Sequence, residues 1–265
     1  MTVSLKQKLV AAARAARVVP LFEAARFLRA AAAASTDNRA YIRDHPDFVA
    51  PPLWWMHDMY SHASYRQYAE TGAATAGALA EIARRCGLVA APRVADWGCG
   101  LARVIRRLPK DWRATGFDDN AAAIDWCAKT APGADFRRNA LTPPLPAEPS
   151  SFDMLYALSV FTHLSEAGHV AWVAEIERVL APGGLFLVAL HMKPYPGQLL
   201  EDERRRFDAG ALVTRAGVRE GGRTYTAFHP ERYVRDVLLA RFEIVEGPLD
   251  FFGQSLTVAR KKAAA

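Results

Sequence analysis

The segment Asp96-Trp97-Gly98-Cys99-Gly100 places a carboxylate two residues ahead of a pair of glycines. The run before it, Arg93-Val94-Ala95-Asp96-Trp97, reads as a short strand, and Gly98-Cys99-Gly100 reads as a tight turn. Glycine admits positive φ and lets a ligand come close to the backbone. A helix is expected over residues 101–108, and its first N–H groups would point at the same place. Open parallel sheets bind ligands at such turns, beyond the carboxyl ends of their strands. A dinucleotide site there would want a third glycine, so that helix and strand pack closely. Arg103 stands at that position, and Asp96 would set a negative charge beside the pyrophosphate. A cationic ligand suits the turn better.

A second strand, Arg113 to Asp118, ends Gly116-Phe117-Asp118. Asp118 lies where a ribose-binding carboxylate is expected after a glycine turn. A turn or helix-capping role for Asp118, with Asp119 and Asn120 following, is the plainer alternative. For proton transfer the chain offers seven histidines: His45, His57, His62, His163, His169, His191 and His229. Two of them follow predicted strands at the carboxyl edge: His163 after the fourth strand and His191 after the fifth. Either suits a general base near neutral pH, and either could instead satisfy loop backbone.

These residues need a scaffold, and the pattern supplies one. Strands are expected at 93–97, 113–118, 135–140, 152–159 and 185–190. Helices are expected between them, one capped by Asn120 and running to about Thr130. Another is capped by Ser165, with Val170, Val173, Ile176 and Leu180 on its buried face, and ends at Pro182-Gly183-Gly184. The spacing implies right-handed crossovers and a parallel sheet covered on both faces. A helix is read over residues 65–87, ending at Gly87, and another at about 230–241. The runs Phe242 to Glu246 and Leu256 to Arg260 can pair antiparallel. Residues 5–34 read as helices broken near Pro20, residues 35–62 as irregular, and residues 192–228 as a polar insertion or lid.

Composition narrows the classes. The 265 residues allow one α/β domain with an extension, or two small domains. The net charge of +6 is diffuse, which reads as solvated surface rather than a nucleic-acid footprint. Cys86, Cys99 and Cys127 form no metal-type pair and suggest a reducing compartment. No apolar run reaches the roughly 18 residues of a membrane span. The alanine-rich, basic first 34 residues fit a transit peptide, a membrane-surface helix or a packed helical extension, and the last is preferred.

The ordered set of motifs resembles the class I S-adenosylmethionine-dependent methyltransferases. It comprises D-x-G-x-G at 96–100, G-x-D at 116–118, a strand closing on Asn139-Ala140, Phe152-Asp153-Met154-Leu155, and Leu180-Ala181-Pro182-Gly183-Gly184. Ser159-Val160-Phe161-Thr162-His163-Leu164-Ser165, with Trp172 and Glu175-Ile176-Glu177-Arg178-Val179-Leu180, looks like a branch (methyltransferase type 11/12-like) that acts on small molecules or glycans. Members of that branch are often found beside glycosyltransferases in bacteria. The resemblance implies a Rossmann-like three-layer sandwich. Its seven-stranded sheet would be mostly parallel with the last strand antiparallel. Residues 1–64 would be a helical extension, and residues 65–265 the cofactor-binding domain, with the insertion at about 192–228.

The implied cofactor is S-adenosylmethionine, whose ammonium and sulfonium match the charge of Asp96. Asp96, Gly98 and Gly100 would line the methionine part and Asp118 would bind the ribose. Asn139 and Ala140 would flank the adenine, with an amide oxygen where many relatives carry an acid. Ser159 and Phe161 would lie near the sulfur. Tyr68 and Gly72 stand where relatives often contact the methionine carboxylate, although Tyr68 at helical spacing from Tyr65 is also ordinary packing.

The expected reaction is methyl transfer to an oxygen or nitrogen of a small molecule or glycan. Base amino-methylation, C5-pyrimidine and metal-dependent catechol chemistry lack their motifs after the fourth strand. No nucleic-acid partner, no metal and no stable membrane insertion are expected, and the location is expected to be a bacterial cytoplasm. The rival functions are a nicotinamide-dependent oxidoreductase and a non-catalytic or peripheral-membrane module with the same fold.

Overall fold

The computed structural model describes residues 19–194, 197–215 and 218–262. The helices read over residues 5–18 lie outside the described residues. The chain divides into two compact units. The described residues of 1–71 and 195–202 form one, and those of 72–194 and 203–265 form the other.

In the first unit, helix α1 (Val19–Asp44) continues ten residues past the expected end, and α2 (Leu53–Tyr60) follows. Two polar residues in the added length of α1, Asp37 and Asn38, serve as side-chain partners. The Asn38 amide donates to the Ala63 carbonyl at 2.8 Å and accepts the Tyr65 N–H at 2.9 Å. The Asp37 carboxylate accepts from the Arg66 guanidinium at 2.9 Å. Helix α3 (Tyr65–Arg85) begins in this unit and runs into the second.

The second unit is built on a sheet. Its strands are β1 (Arg93–Trp97), β2 (Arg113–Asp118), β3 (Asp135–Arg138), β4 (Phe152–Leu158), β5 (Leu180–Leu190), β8 (Phe242–Phe251) and β9 (Gln254–Lys261). Their order is β3-β2-β1-β4-β5-β9-β8; β9 pairs antiparallel with both β5 and β8, and the other neighbouring strands pair parallel. Fully apolar runs such as Met154-Leu155-Tyr156-Ala157 fit strands buried on both faces. One core layer gathers Trp97, Phe161, Trp172, Ile176 and Phe186, and the other gathers Leu79, Val94, Ile105, Met154 and Leu187.

Helix α4 (Ala121–Thr130) starts where Asn120 Oδ1 accepts the Ala123 N–H. Helix α5 (Glu166–Val179) starts where Ser165 Oγ accepts the Gly168 N–H. The buried residues of α5 are His169, Trp172, Val173, Glu175, Ile176 and Val179, which keep Val173 and Ile176 of the expected face and replace Val170 by His169. Val170 is 60% exposed. The helix also stops before Pro182-Gly183-Gly184. Those residues lie inside β5, where left-handed Gly183 accompanies a register shift against β4.

The helix expected over residues 101–108 is absent. Gly100 and Ala102 both have positive φ, so the chain cannot enter the α region until Arg103. Pro109 follows soon after, and only a 3₁₀ turn forms, Ile105–Arg107. The segment after β5 is more ordered than its composition suggested. It holds helix α6 (Glu201–Asp208) and a two-stranded hairpin, β6 (Val213–Arg215) and β7 (Thr226–Phe228). The last helix is a short turn, Glu231–Tyr233, continuing as a π-helical turn over Val234–Leu238. No helix among the described residues is long and apolar enough to cross a membrane.

Candidate functional site

The glycine turn is tied to the end of β2. The Gly98 and Cys99 N–H groups both donate to the Phe117 carbonyl, at 2.8 and 3.0 Å. The Gly100 N–H donates to Asp118 Oδ2 at 2.8 Å, and the Asn120 N–H to Asp118 Oδ1 at 2.9 Å. The turn therefore offers no helix N-terminus, because its last amide is satisfied by a side chain. Each Asp118 oxygen has accepted one N–H and keeps a lone pair for a further donor. The capping role and a ribose role are compatible.

Asp96 is 5% exposed. Burial pushes its carboxyl up to about 7; the Tyr156 hydroxyl beside it lowers it, nearby Asp118 raises it, and Arg103 lowers it. A cation placed here would restore the ionised form. Gly98 has φ +79°, and a Cβ there would lie 2.5 Å from Val160 Cγ2. The backbone is bare at this point because no side chain fits. A Cβ on Gly72 would lie 2.3 Å from the Arg103 carbonyl, so the close approach of α3 to the turn needs glycine.

Asn139 is buried at the end of β3. Its amide N–H donates to the Ala140 carbonyl at 2.6 Å, and its Oδ1 has no hydrogen-bond partner among the described residues. A buried acceptor without a donor is costly, which marks it as awaiting one. Ala140 is exposed beside it. Ser159, at the end of β4, has φ +65° and is half-buried. The Phe161 side chain is fully buried among Trp97, His169 and Phe186, so only its backbone could meet a ligand. Tyr68 belongs to the first unit, where its ring packs against Phe48 and Tyr60.

Both expected histidines lie at the carboxyl edge and are held by one short segment, Tyr225 to Ala227, at the start of β7. His163 Nδ1 lies 2.8 Å from the Tyr225 carbonyl, and His191 Nδ1 lies 3.3 Å from the Ala227 carbonyl. A carbonyl only accepts, so Nδ1 carries the proton in each ring and Nε2 keeps its lone pair. Burial lowers the pKa of both, the carbonyl bonds oppose this, and Arg223 lowers His163 further. Both rings are therefore neutral near pH 7. Two more histidines sit behind them. His169 Nε2 donates to the Phe161 carbonyl at 2.8 Å, and buried His229 stacks on it at 5.2 Å. Nothing in the sequence pattern separated these from loop histidines.

The arginines after β5 divide. Arg215 pairs with Glu203 at 2.7 Å, Arg204 lies 3.6 Å from Asp208, and Arg205, Arg206 and Arg219 are exposed. Arg223 acts on His163. No group of three or more His, Cys, Asp or Glu side chains among the described residues is placed to hold a metal ion.

Residues 94–184, which carry the turn, Asp118, Asn139 and the β4 end, match the family model of a methyltransferase domain. The chain carries a class I methyltransferase domain. Solved structures share the fold. An amino pentose methyltransferase from Micromonospora echinaspora involved in calicheamicin biosynthesis, with S-adenosylmethionine bound, aligns at 20% identity over 75% of this chain and 94% of that one, with TM-score 0.53. A glycopeptide N-methyltransferase complexed with S-adenosylhomocysteine aligns at 16% identity over 72% of this chain and 90% of that one, with TM-score 0.51. A protein from Pyrococcus horikoshii aligns at 18% identity over 84% and 99%, with TM-score 0.52. At these identities the structures speak for the fold, and the domain match speaks for the family. The amino pentose methyltransferase holds S-adenosylmethionine. Three features of this chain's second unit fit that cofactor: the bare backbone at Gly98, the buried acid Asp96 and the open acceptor on Asn139.

Proposed function

We propose that this methyltransferase acts on an oxygen or nitrogen of a small molecule or glycan, with His191 or His163 as general base. The observation that carries this reading is the pair of neutral imidazoles at the carboxyl edge, His163 with Nδ1 on the Tyr225 carbonyl just before β7 and His191 with Nδ1 on the Ala227 carbonyl of β7, which leaves the Nε2 lone pair of each ring to accept a proton. In this reading Asp96, Gly98 and Gly100 hold the methionine part, and Asp118 holds the ribose. Asn139 and Ala140 hold the adenine, Ser159 and the Phe161 backbone lie by the sulfur, and Gly72 lets α3 approach. Tyr68 is assigned to packing. When bound, the cofactor supplies a methyl group on an already activated sulfonium. The protein's part is then to hold the acceptor in line and to take its proton on Nε2 as the new bond forms.

Residues 65–265 act as the transferase domain in this reading, residues 1–64 as its helical extension, and residues 192–228 as a lid-like insertion. The setting is a bacterial cytoplasm, with no nucleic-acid partner and no stable membrane insertion. A nicotinamide-dependent oxidoreductase is disfavoured by Asp96 and Arg103. A non-catalytic module has no use for two tautomer-locked histidines. The test is transfer of labelled methyl from S-adenosylmethionine to a panel of sugars, amino sugars and hydroxylated or amino-bearing metabolites. Transfer to protein or nucleic acid alone, with none to the panel, would overturn the acceptor class.

A further inference from the structure

Ser159 is a residue with a side chain in the left-handed region, at φ +65°. Such a conformation persists only where its surroundings hold it. Two contacts do so. The Thr162 hydroxyl donates to the Ser159 carbonyl at 2.5 Å, a local bond three residues away. The Ser159 hydroxyl donates to Gln254 Oε1 at 2.9 Å, across 95 residues of sequence. Gln254 opens β9, at the tip of the hairpin that β9 makes with β8. Strand β5 lies between β4 and β9, and Leu190 is in register with Ser255. The Gln254–Ser159 bond therefore spans the end of β5, where His191 follows.

The turn that Ser159 begins also sets the floor of the glycine loop. Val160 Cγ2 fills the space that a Cβ on Gly98 would need, 2.5 Å away. Moving Ser159 out of the left-handed region would swing Val160 against or away from Gly98. We propose that Gln254 is a positioning residue: through Ser159 it holds the strained turn after β4 against Gly98, and so keeps the methionine end of the cofactor site in shape. The inference rests on the assignment of the glycine turn to the cofactor. It gives the last hairpin, which is remote in sequence from every cofactor motif, a part in cofactor binding.

Calorimetric titration of the full chain with S-adenosylhomocysteine tests this, alongside melting temperatures to show folding. Gln254→Met keeps the length and removes the acceptor oxygen. It is expected to weaken binding about tenfold, the scale of one lost hydrogen bond. Gln254→Glu keeps an oxygen for Ser159 and is expected to recover most of that loss. Glycine adopts positive φ without a clamp. Gln254→Met in a Ser159→Gly background is therefore expected to weaken binding by less than about twofold relative to Ser159→Gly alone. Equal losses in both backgrounds, or no loss from Gln254→Met, would overturn the role of Gln254. If Gln254→Met does not fold, Ser159→Ala breaks the same bond from the other side, and undiminished binding there has the same meaning. A wild-type chain that binds no S-adenosylhomocysteine would instead overturn the cofactor assignment of the turn.

Discussion

The β1–β3 side of the site and its β4–β5 side are built differently. On the first, each functional group sits within a few residues of a strand end, and most holding contacts are backbone to backbone or join neighbouring strands. Gly98 and Cys99 hang on the Phe117 carbonyl, and the Asn139 N–H donates to the Asp118 carbonyl at 3.0 Å. On the second, the partners come from far along the chain. His163 is held by Tyr225, His191 by Ala227, and Ser159 by Gln254. A common cofactor can be met by a local motif. The second side is instead assembled from distant segments, the β6–β7 hairpin with Tyr225 before it and the β8–β9 tip.

The largest effect that would break this division lies with the histidines. His191→Ala or His163→Ala is expected to lower turnover by about a hundredfold or more in whichever is the base. S-adenosylhomocysteine affinity should stay within about twofold in both, because neither ring belongs to the cofactor side. If both variants keep turnover within about tenfold of wild type, no histidine is the base and holding the reactants in line suffices.

Next comes Gly98→Ala, which acts on the cofactor side. The added methyl meets Val160 at 2.5 Å and needs φ +79°. Strain and clash together are worth about 2 kcal/mol, or roughly thirtyfold in affinity for S-adenosylhomocysteine. Binding at wild-type strength would show that the loop is not the cofactor cradle.

The same division governs what could be read from residues alone. Strand runs such as Phe152–Leu158, the caps Asn120 and Ser165, and the turn at Gly98 are signals written in adjacent residues. The helix expected after the turn does not form because the positive φ of Ala102 is a tertiary outcome at a residue with high helix propensity. In α5, His169 and Trp172 were passed over for Val170. A histidine becomes a core residue only once Phe161 and Tyr233 offer partners, and those come from other elements. Gln254 carried no signal at all, since only the sheet order brings β9 beside β5 and within reach of Ser159.

A smaller effect separates the two sides by pH. The buried Asp96 carboxyl is held at about 7, so below that pH it is mostly protonated in the empty site. Binding an ammonium group favours the ionised form and must expel that proton. Affinity for S-adenosylhomocysteine is therefore expected to rise about tenfold between pH 5.5 and 7.5, with proton release at the acid end of the range. The empty protein should show the opposite trend in stability. Its folded-state pKa lies above the ordinary 3.8, so the folded form binds the extra proton between about pH 4 and 7 and loses stability as pH rises through that window. Asp96→Asn should flatten both trends. Calorimetry in two buffers of different ionisation heat checks the proton count, and an unchanged pH profile in Asp96→Asn would place the titration elsewhere.

The smallest effect is also the one that best separates a binding role from a structural one. Asn139 Oδ1 is buried without a donor among the described residues, a cost the empty protein bears. Asn139→Leu removes that acceptor and keeps the volume. It gives up the amide bond to the Ala140 carbonyl, but Ala140 is exposed and water can replace it. The melting temperature is therefore expected to hold or rise. Affinity for S-adenosylhomocysteine is expected to fall about fivefold, the loss of one hydrogen bond from the adenine amine. Opposite signs in stability and affinity are what a waiting acceptor predicts. A lower melting temperature with unchanged affinity would instead make Asn139 a structural residue of the β3 end, and the adenine would have to be held by backbone alone.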